Sequence, residues 1–242
     1  MKKEQNIYQE ICKAKKEKQK LLAILLDPDK VVWSNLDNLI LKINQSPATH
    51  VFIGGSLVEN SILDDLIVKI KQSCALPLVL FPGDVSQIST HADGILFLSL
   101  LSGRNPDYLI GHQVKAAPIL KRTQMEIIST GYILIESGAA TAVERVSQTK
   151  PLDRDNFDFA VATALAGEML GNKLIYLEAG SGAQKVVPLE MIALVAQNVD
   201  IPLIVGGGIT DRLGIQKAYQ SGADMVVIGT AFENNMDFFN EY

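Results

Sequence analysis

Residues 174–182, LIYLEAGSG, carry the reading of the fold. Leu174 to Leu177 is an apolar run too short for a helix, apolar at successive positions as in a strand buried on both faces. A glycine-rich turn follows at once. The same joint returns at residues 202–208, PLIVGGG, and at residues 225–231, MVVIGTA. Upstream, Leu21 to Leu26, Val51 to Ile53, Pro77 to Phe81, Ile95 to Leu98 and Ile127 to Ile135 are further short strands, the last with a bend expected at Gly131. Helical periodicity fills most of the gaps. Leu36, Leu39, Ile40 and Ile43 share a face; other helices run from about Glu59 to Gln72 and from about Asp155 to Leu170, and begin near Pro106, Pro188 and Asp211. Ile7, Tyr8, Ile11 and Cys12 place one more amphipathic helix ahead of the first strand, with lysines at its C-terminal pole.

Strands alternating with helices argue for a parallel sheet. About eight such units in a chain of 242 residues fit a single α/β barrel of the (β/α)8 TIM type with an extra N-terminal helix. An open doubly wound sheet is the alternative. The polar link from Ser137 to Asp155 reads as a loop or a subunit contact, and residues 1–242 read as one catalytic domain.

Composition narrows the function. The chain is 48% hydrophobic and 20% charged, with a formal net charge of −5. That balance suits a large buried core and argues against a nucleic-acid binder, which would show a basic stripe. Cys12 and Cys74 stand far apart, and His50, His91 and His112 show no metal-ligand spacing, so neither a disulfide framework nor a zinc site is expected. MKKEQNIYQE at the start has no apolar core, and the most apolar stretch, Phe157 to Leu170, contains Asp158 and Glu168 and is too short to span a bilayer. A cytoplasmic protein without stable membrane insertion is expected.

The glycine loops carry the chemistry. Glycine lets backbone N–H groups approach an anion with no Cβ in the way, and a helix N-terminus behind the loop adds a favourable dipole. In barrels, the loops after strands seven and eight are the recurrent phosphate site. Ser181 and Thr230 add hydroxyl donors. One such loop is as easily a tight turn; three that converge make a phosphate grip. Across the mouth, Asp27 in LLDPDK and Ser56 in an S-x-x-E box with Glu59 read singly as helix caps. Together they offer a hard, oxygen-rich pair suited to Mg²⁺. Asp84, in PGDVS, is better read as a cap. Glu178 would be repelled by a bound phosphate unless it met a hydroxyl, so it suits holding or deprotonating a substrate OH; a salt bridge to Lys or Arg is the alternative. Leu96, Phe97, Leu98, Leu100 and Leu101 make an apolar end to strand four, for a long apolar ligand or for ordinary packing.

The ordered set LLAILLDPDK, VFIGGSLVEN, LVLFPGDVSQIS, ADGILFLSLLSGRNPDYLIGHQ, GYILIESG, IYLEAGSGA, PLIVGGGI and ADMVVIGTAFE resembles the geranylgeranylglyceryl phosphate synthase family from about residue 5 onward, and GYILIESGAATAVERV resembles the second of its two main groups. The resemblance implies transfer of a prenyl chain from its diphosphate to the 3-hydroxyl of sn-glycerol 1-phosphate. It puts Mg²⁺ at Asp27 and Ser56. It puts glycerol 1-phosphate at Tyr176, Leu177, Glu178, Ala179, Gly180, Ser181, Gly182, Gly207, Gly208, Gly229 and Thr230, with Glu178 as catalytic base. It implies a homo-oligomer, and a donor that is either geranylgeranyl diphosphate or the longer heptaprenyl diphosphate. The rival readings are another phosphate-binding barrel, a lyase or isomerase, and a non-catalytic metabolite sensor.

Overall fold

Short runs that are apolar on both faces have to be covered on both faces, and a closed sheet ringed by helices achieves this. The computed structural model describes residues 6–55 and 60–240. Its strands are β1 (Leu21–Leu26), β2 (His50–Ile53), β3 (Leu78–Leu80), β4 (Gly94–Leu100), β5 (Glu126–Leu134), β6 (Leu174–Glu178), β7 (Leu203–Gly206) and β8 (Met225–Ile228). Each pairs in parallel with its chain neighbour, and β8 returns to β1 to close the barrel. The open-sheet alternative is thereby excluded. The helices are α1 (Ile7–Lys16), α2 (Leu36–Gln45), α3 (Asn60–Ser73), α4 (His112–Leu120), α5 (Ala142–Ser147), α6 (Phe157–Met169), α7 (Leu189–Asn198), α8 (Arg212–Gln220) and α9 (Thr230–Asn234). Among the described residues no helix is long and apolar enough to cross a membrane.

The two-residue period of the strands splits the apolar residues into two cores. Ala23, Phe52, Val79, Leu96, Tyr132, Tyr176, Ile204 and Val227 fill the barrel interior. Their neighbours Ile24, Val51, Leu80, Ile95, Ile133, Leu177, Val205 and Val226 pack outward under the helices. β5 runs unbroken through Gly131, which pairs with Ser99 and Ile175. The expected bend is absent. The glycine is there for space, since a Cβ would lie 2.7 Å from the Leu101 side chain.

Two connections depart from a regular alternation. Between β3 and β4 there is no helix. Pro82 and Gly83 open the link, the Asp84 carboxylate accepts from Ser86 N–H at 2.8 Å in an Asx turn, and buried Gln87 ties it to the Gly55 carbonyl at 2.9 Å. The Ser86 N–H also holds the Asp84 carboxyl below the usual carboxylate range. Asp84 thus shapes a turn, in line with its reading as a cap. After β5 the link read as a loop contains the short helix α5. Its signal was present as Thr141-x-x-Glu144: the Thr141 hydroxyl accepts from Glu144 N–H at 3.2 Å and the Glu144 carboxylate from Thr141 N–H at 2.8 Å.

Helix α1 closes the lower end of the barrel. Ile7, Ile11 and Ala14 are buried in the interior core. The Glu126 carboxylate, at the start of β5, accepts from Ile7 N–H at 2.6 Å and from Tyr8 N–H at 3.1 Å, so an acid faces the positive pole of the helix. At the other pole Lys15 donates to Asp224 at 3.1 Å, and that carboxylate also accepts from Leu203 N–H at 2.9 Å. Replacing Glu126 by Ala removes the cap and leaves two N–H groups part-buried. We expect Glu126→Ala to lower stability by about 1–2 kcal/mol, read as a lower urea midpoint at unchanged slope; an unchanged midpoint would mean α1 docks through its apolar face alone.

Candidate active site

The loops after β6, β7 and β8 build the upper mouth of the barrel. Leu174, Tyr176 and Glu178 alternate toward the barrel axis, so the carboxylate that ends β6 emerges inside the mouth. It pairs in register with Gly206 of β7. Glu178 is 5% exposed. Its Oε1 accepts from Gly180 N–H at 2.6 Å. Among the described residues no ion pair includes it. The salt-bridge reading of Glu178 therefore finds no cation.

Burial raises the Glu178 pKa to about 7, against the opposing pull of Tyr176 and the Gly180 N–H. The Tyr176 hydroxyl leans toward the carboxylate yet meets no acceptor at hydrogen-bonding geometry. It is a buried donor left without a partner among the described residues. Burial, then the nearby Glu178 charge, push the Tyr132 and Tyr176 phenols well above their usual range, so both remain protonated.

The glycines make this cluster sterically feasible. A Cβ on Gly206 would lie 2.5 Å from the Tyr176 hydroxyl and 2.8 Å from Glu178 Oε2. Gly207 has φ +84°, and a Cβ there would lie 2.4 Å from Glu178 Oε1. These glycines therefore house the carboxylate before they house any anion.

The three loops do converge. Ser181 Oγ, after β6, lies 3.4 Å from Thr230 Oγ1, after β8. A Cβ on Gly208 would lie 3.2 Å from the Ala183 carbonyl, which sets the β7 loop against the β6 loop. Thr230 opens α9 behind its N-cap Gly229, and the Gly229 carbonyl accepts from Phe232 and Glu233 N–H groups at 2.9 and 3.0 Å. The other residues of the sequence-derived set have different places. Leu177 packs outward beneath the helices and offers only its backbone. Ala179 N–H is spent on the Gly206 carbonyl at 3.1 Å. Gly180, at φ +100°, spends its own N–H on Glu178, and Gly182, at φ +69°, completes the turn. Ser181 and Thr230 are the side-chain donors that remain at the meeting point.

Across the mouth, Asp27 comes directly after β1. Its Oδ1 accepts from Asp29 N–H at 3.2 Å and its Oδ2 faces Lys30 Nζ at 3.3 Å. Lys30 also reaches Glu233 of α9 at 3.3 Å, and Glu233 accepts from Asp27 N–H at 3.0 Å. Burial pulls the Lys30 pKa down, but the two carboxylates outweigh it and raise it. The sequence reading missed Lys30 and Glu233, because β8 is set beside β1 only by barrel closure. Ser56, the other expected Mg²⁺ ligand, lies outside the described residues, as does Glu59. Among the described residues no group of three or more His, Cys, Asp or Glu side chains could hold a metal by itself. A single partly exposed carboxylate fits an ion that keeps waters and takes its remaining oxygens from a phosphorylated substrate, as Mg²⁺ does.

Of the apolar residues on β4 and just after it, Leu96, Leu100 and Leu101 are buried in ordinary packing, and Phe97 and Leu98 stay half-buried. The Ser102–Asn105 turn beyond them lines an open groove of about 750 Å³ with Gln148, Lys150 and Phe159, bordered by neither Glu178 nor the glycine loops.

Comparison with known proteins gives this mouth a context. The PcrB family model matches residues 13–241. A geranylgeranylglyceryl phosphate synthase of Flavobacterium johnsoniae is 72% identical over 97% of this chain and 96% of its own length. That of Zunongwangia profunda is 50% identical over 93% of this chain and 95% of its own. The crystal structure of (S)-3-O-geranylgeranylglyceryl phosphate synthase from Thermoplasma acidophilum, in complex with substrate sn-glycerol-1-phosphate, superposes with a TM-score of 0.91 at 32% identity, covering 97% of this chain and 94% of that one. With the family model matched over residues 13–241 and the fold and nearly the full length shared, the chain belongs to the PcrB family, among the geranylgeranylglyceryl phosphate synthases.

Proposed function

We propose that the protein joins a long-chain prenyl group, geranylgeranyl in the first instance, to the 3-hydroxyl of sn-glycerol 1-phosphate, with release of diphosphate and dependence on Mg²⁺. The observation that carries this reading is the buried carboxylate of Glu178, unpaired with any cation among the described residues, in the same loops as the converging Ser181 and Thr230 hydroxyls. An acceptor with a phosphate at one end and a hydroxyl at the other matches that pair. The phosphate goes to Ser181, Thr230 and the backbone of Gly207, Gly208 and Gly229; the hydroxyl goes to Glu178 and Tyr176. The Thermoplasma acidophilum relative, solved with sn-glycerol-1-phosphate, supports this choice of acceptor.

The donor diphosphate belongs at the Asp27 side, with Asp27 and Ser56 as the residues that would hold Mg²⁺. The metal supplies neutralisation of the leaving group's charge. The rest falls to the chain. The phosphate grip fixes the acceptor, so the 3-hydroxyl is presented in line with the donor carbon. Glu178 accepts the hydroxyl proton as the new C–O bond forms. The prenyl tail runs along the helix-free β3–β4 side, where Phe97 and Leu98 are half-buried. A homo-oligomer is also part of this reading. Phe159, Ala162, Ala166 and Met169 form an uncharged exposed row on α6, continued by Leu170, with Met169 82% exposed.

Incubation with labelled glycerol 1-phosphate, Mg²⁺ and a series of prenyl diphosphates tests the reaction. Ether product that peaks with the geranylgeranyl donor and disappears on adding EDTA is expected. A peak at the heptaprenyl donor would reassign the donor, and no product with any donor would return the barrel to a lyase, an isomerase or a metabolite sensor.

Glu178→Gln should lower kcat roughly 10²- to 10⁴-fold. Since the base works deprotonated, the wild-type rate should fall as pH drops below about 7, and the variant's residual rate should lose that limb. Stability runs the other way. Between the ordinary carboxyl value of 4.5 and about 7 the folded chain holds a proton here that the unfolded chain releases, so folding weakens as pH rises through that window. Glu178→Gln should therefore unfold at a higher temperature than wild type at pH 8. A variant with wild-type kcat would remove Glu178 from catalysis. For the oligomer, Phe159→Glu combined with Met169→Glu should convert the sedimenting species to monomer; an unchanged sedimentation coefficient would put the contact elsewhere.

A further inference from the structure

Phe81 stands at the first position after β3, at the mouth end of the barrel. Its backbone is pressed against Gly54, just past β2, where a Cβ would lie 1.8 Å from the Phe81 carbonyl oxygen. The ring turns inward. It stacks on Tyr176 with centroids 5.4 Å apart and planes 22° from parallel. It meets Tyr132 at 5.8 Å and 53°, and Tyr132 meets Tyr176 edge-on at 5.5 Å and 76°. All three rings belong to the interior core, and of the three Phe81 alone keeps partial exposure. Tyr176 lies two residues before Glu178 on β6, and Phe81 lies one strand beyond the rim formed by β1 and β2. The trio thus spans the mouth from the Asp27 side to the Glu178 side.

This inference rests on the prenyl transfer proposed above. With a diphosphate at Asp27 and an acceptor hydroxyl at Glu178, the donor's C1 has to lie between them, over this aromatic surface. In the reaction the C1–O bond to diphosphate breaks with its electron pair left on the departing oxygen. The acceptor oxygen forms a new bond to C1, and its proton passes to Glu178. C1 is electron-poor in between. We propose that Phe81, with Tyr132 beside it, presents the ring face that stabilises positive charge on the donor's allylic carbon and keeps water from it. An aromatic face attracts a cation through its quadrupole and offers no lone pair to trap it. A carboxylate at the same place would compete with the acceptor for the carbon.

Replacing Phe81 by mono-, di- and trifluorophenylalanine weakens the ring quadrupole at nearly constant shape, so the fold is preserved. The expected result is a stepwise fall in kcat, totalling roughly 2- to 30-fold, with the KM for glycerol 1-phosphate unchanged. In parallel, Phe81→Leu should release more free prenol per ether formed, as water reaches the carbon. A kcat that stays flat across the fluorinated series overturns the assignment, since a ring that only packs would not respond to its electronics. If the unmodified protein makes no ether from any prenyl diphosphate, the failure lies with the prenyl-transfer reading itself, and the role of Phe81 falls with it.

Discussion

A carboxylate that is nearly dry and, among the described residues, has no cation beside it is the constraint around which the upper barrel is arranged. Charging a buried carboxyl is costly unless it is paired and hydrogen-bonded. Glu178 has one backbone donor at 2.6 Å and a phenol that leans toward it, which is too little to hold it at an ordinary acidity. Much of the local backbone is shaped by making room for it. Gly206 and Gly207 cannot carry a Cβ without entering the space of Glu178 and Tyr176, and the positive φ at Gly207 turns the chain around the carboxylate. Loops that look from sequence like a phosphate cradle are thus first a housing for an acid. The outer edge of the same loops, where Ser181 and Thr230 meet, is where the proposed phosphate would go.

That housing works because the strands below it are rigid and in register. Glu178 faces inward only because Leu174 and Tyr176 do, and a slip of one residue would move it under the helices where Leu177 now packs. The register is pinned at both ends of the barrel. Below, Glu126 and Asp224 bind α1 while their own strand neighbourhoods hold the ladder. Above, β1 and β8 are tied by Lys30 between Asp27 and Glu233. Aromatic packing of Phe81, Tyr132 and Tyr176 fills the interior between these ends. A carboxylate seated on a filled barrel has little freedom to relax away from a displaced protonation state, which is how its acidity stays displaced.

The strands were legible because burial on both faces writes itself into four to six successive residues, as in Leu21 to Leu26. The convergence of the three glycine loops was legible because each glycine run directly follows a strand. What escaped depended on partners distant in sequence. Lys30 and Glu233 stand about two hundred residues apart and meet only through closure of the barrel. The helix missing between β3 and β4 left no positive signal, only an Asx turn at Asp84 and the tether of Gln87 to Gly55. Helix α5 had a capping box at Thr141 and Glu144 that the surrounding polar residues obscured. The inward ring of Phe81 could have been found by counting in twos from Val79, which places it on the interior side.

A base with a pKa near 7 is weak against an alcohol, and that weakness suits the proposed chemistry. If the donor carbon gains positive character before the oxygen bonds to it, the hydroxyl need not be ionised in advance. Its proton becomes acidic only as the C–O bond forms, and a carboxylate close to neutrality can then accept it in the same step. A stronger base such as lysine would be protonated in this pH range and would add a positive charge beside an electron-poor carbon. A carboxylate left at an ordinary acidity would accept the proton less readily. Burial of Glu178 without a counter-ion reaches the middle ground. The same burial weakens folding as pH rises from 4.5 to about 7, so the cost to the fold and the proposed usefulness of the base have one physical origin.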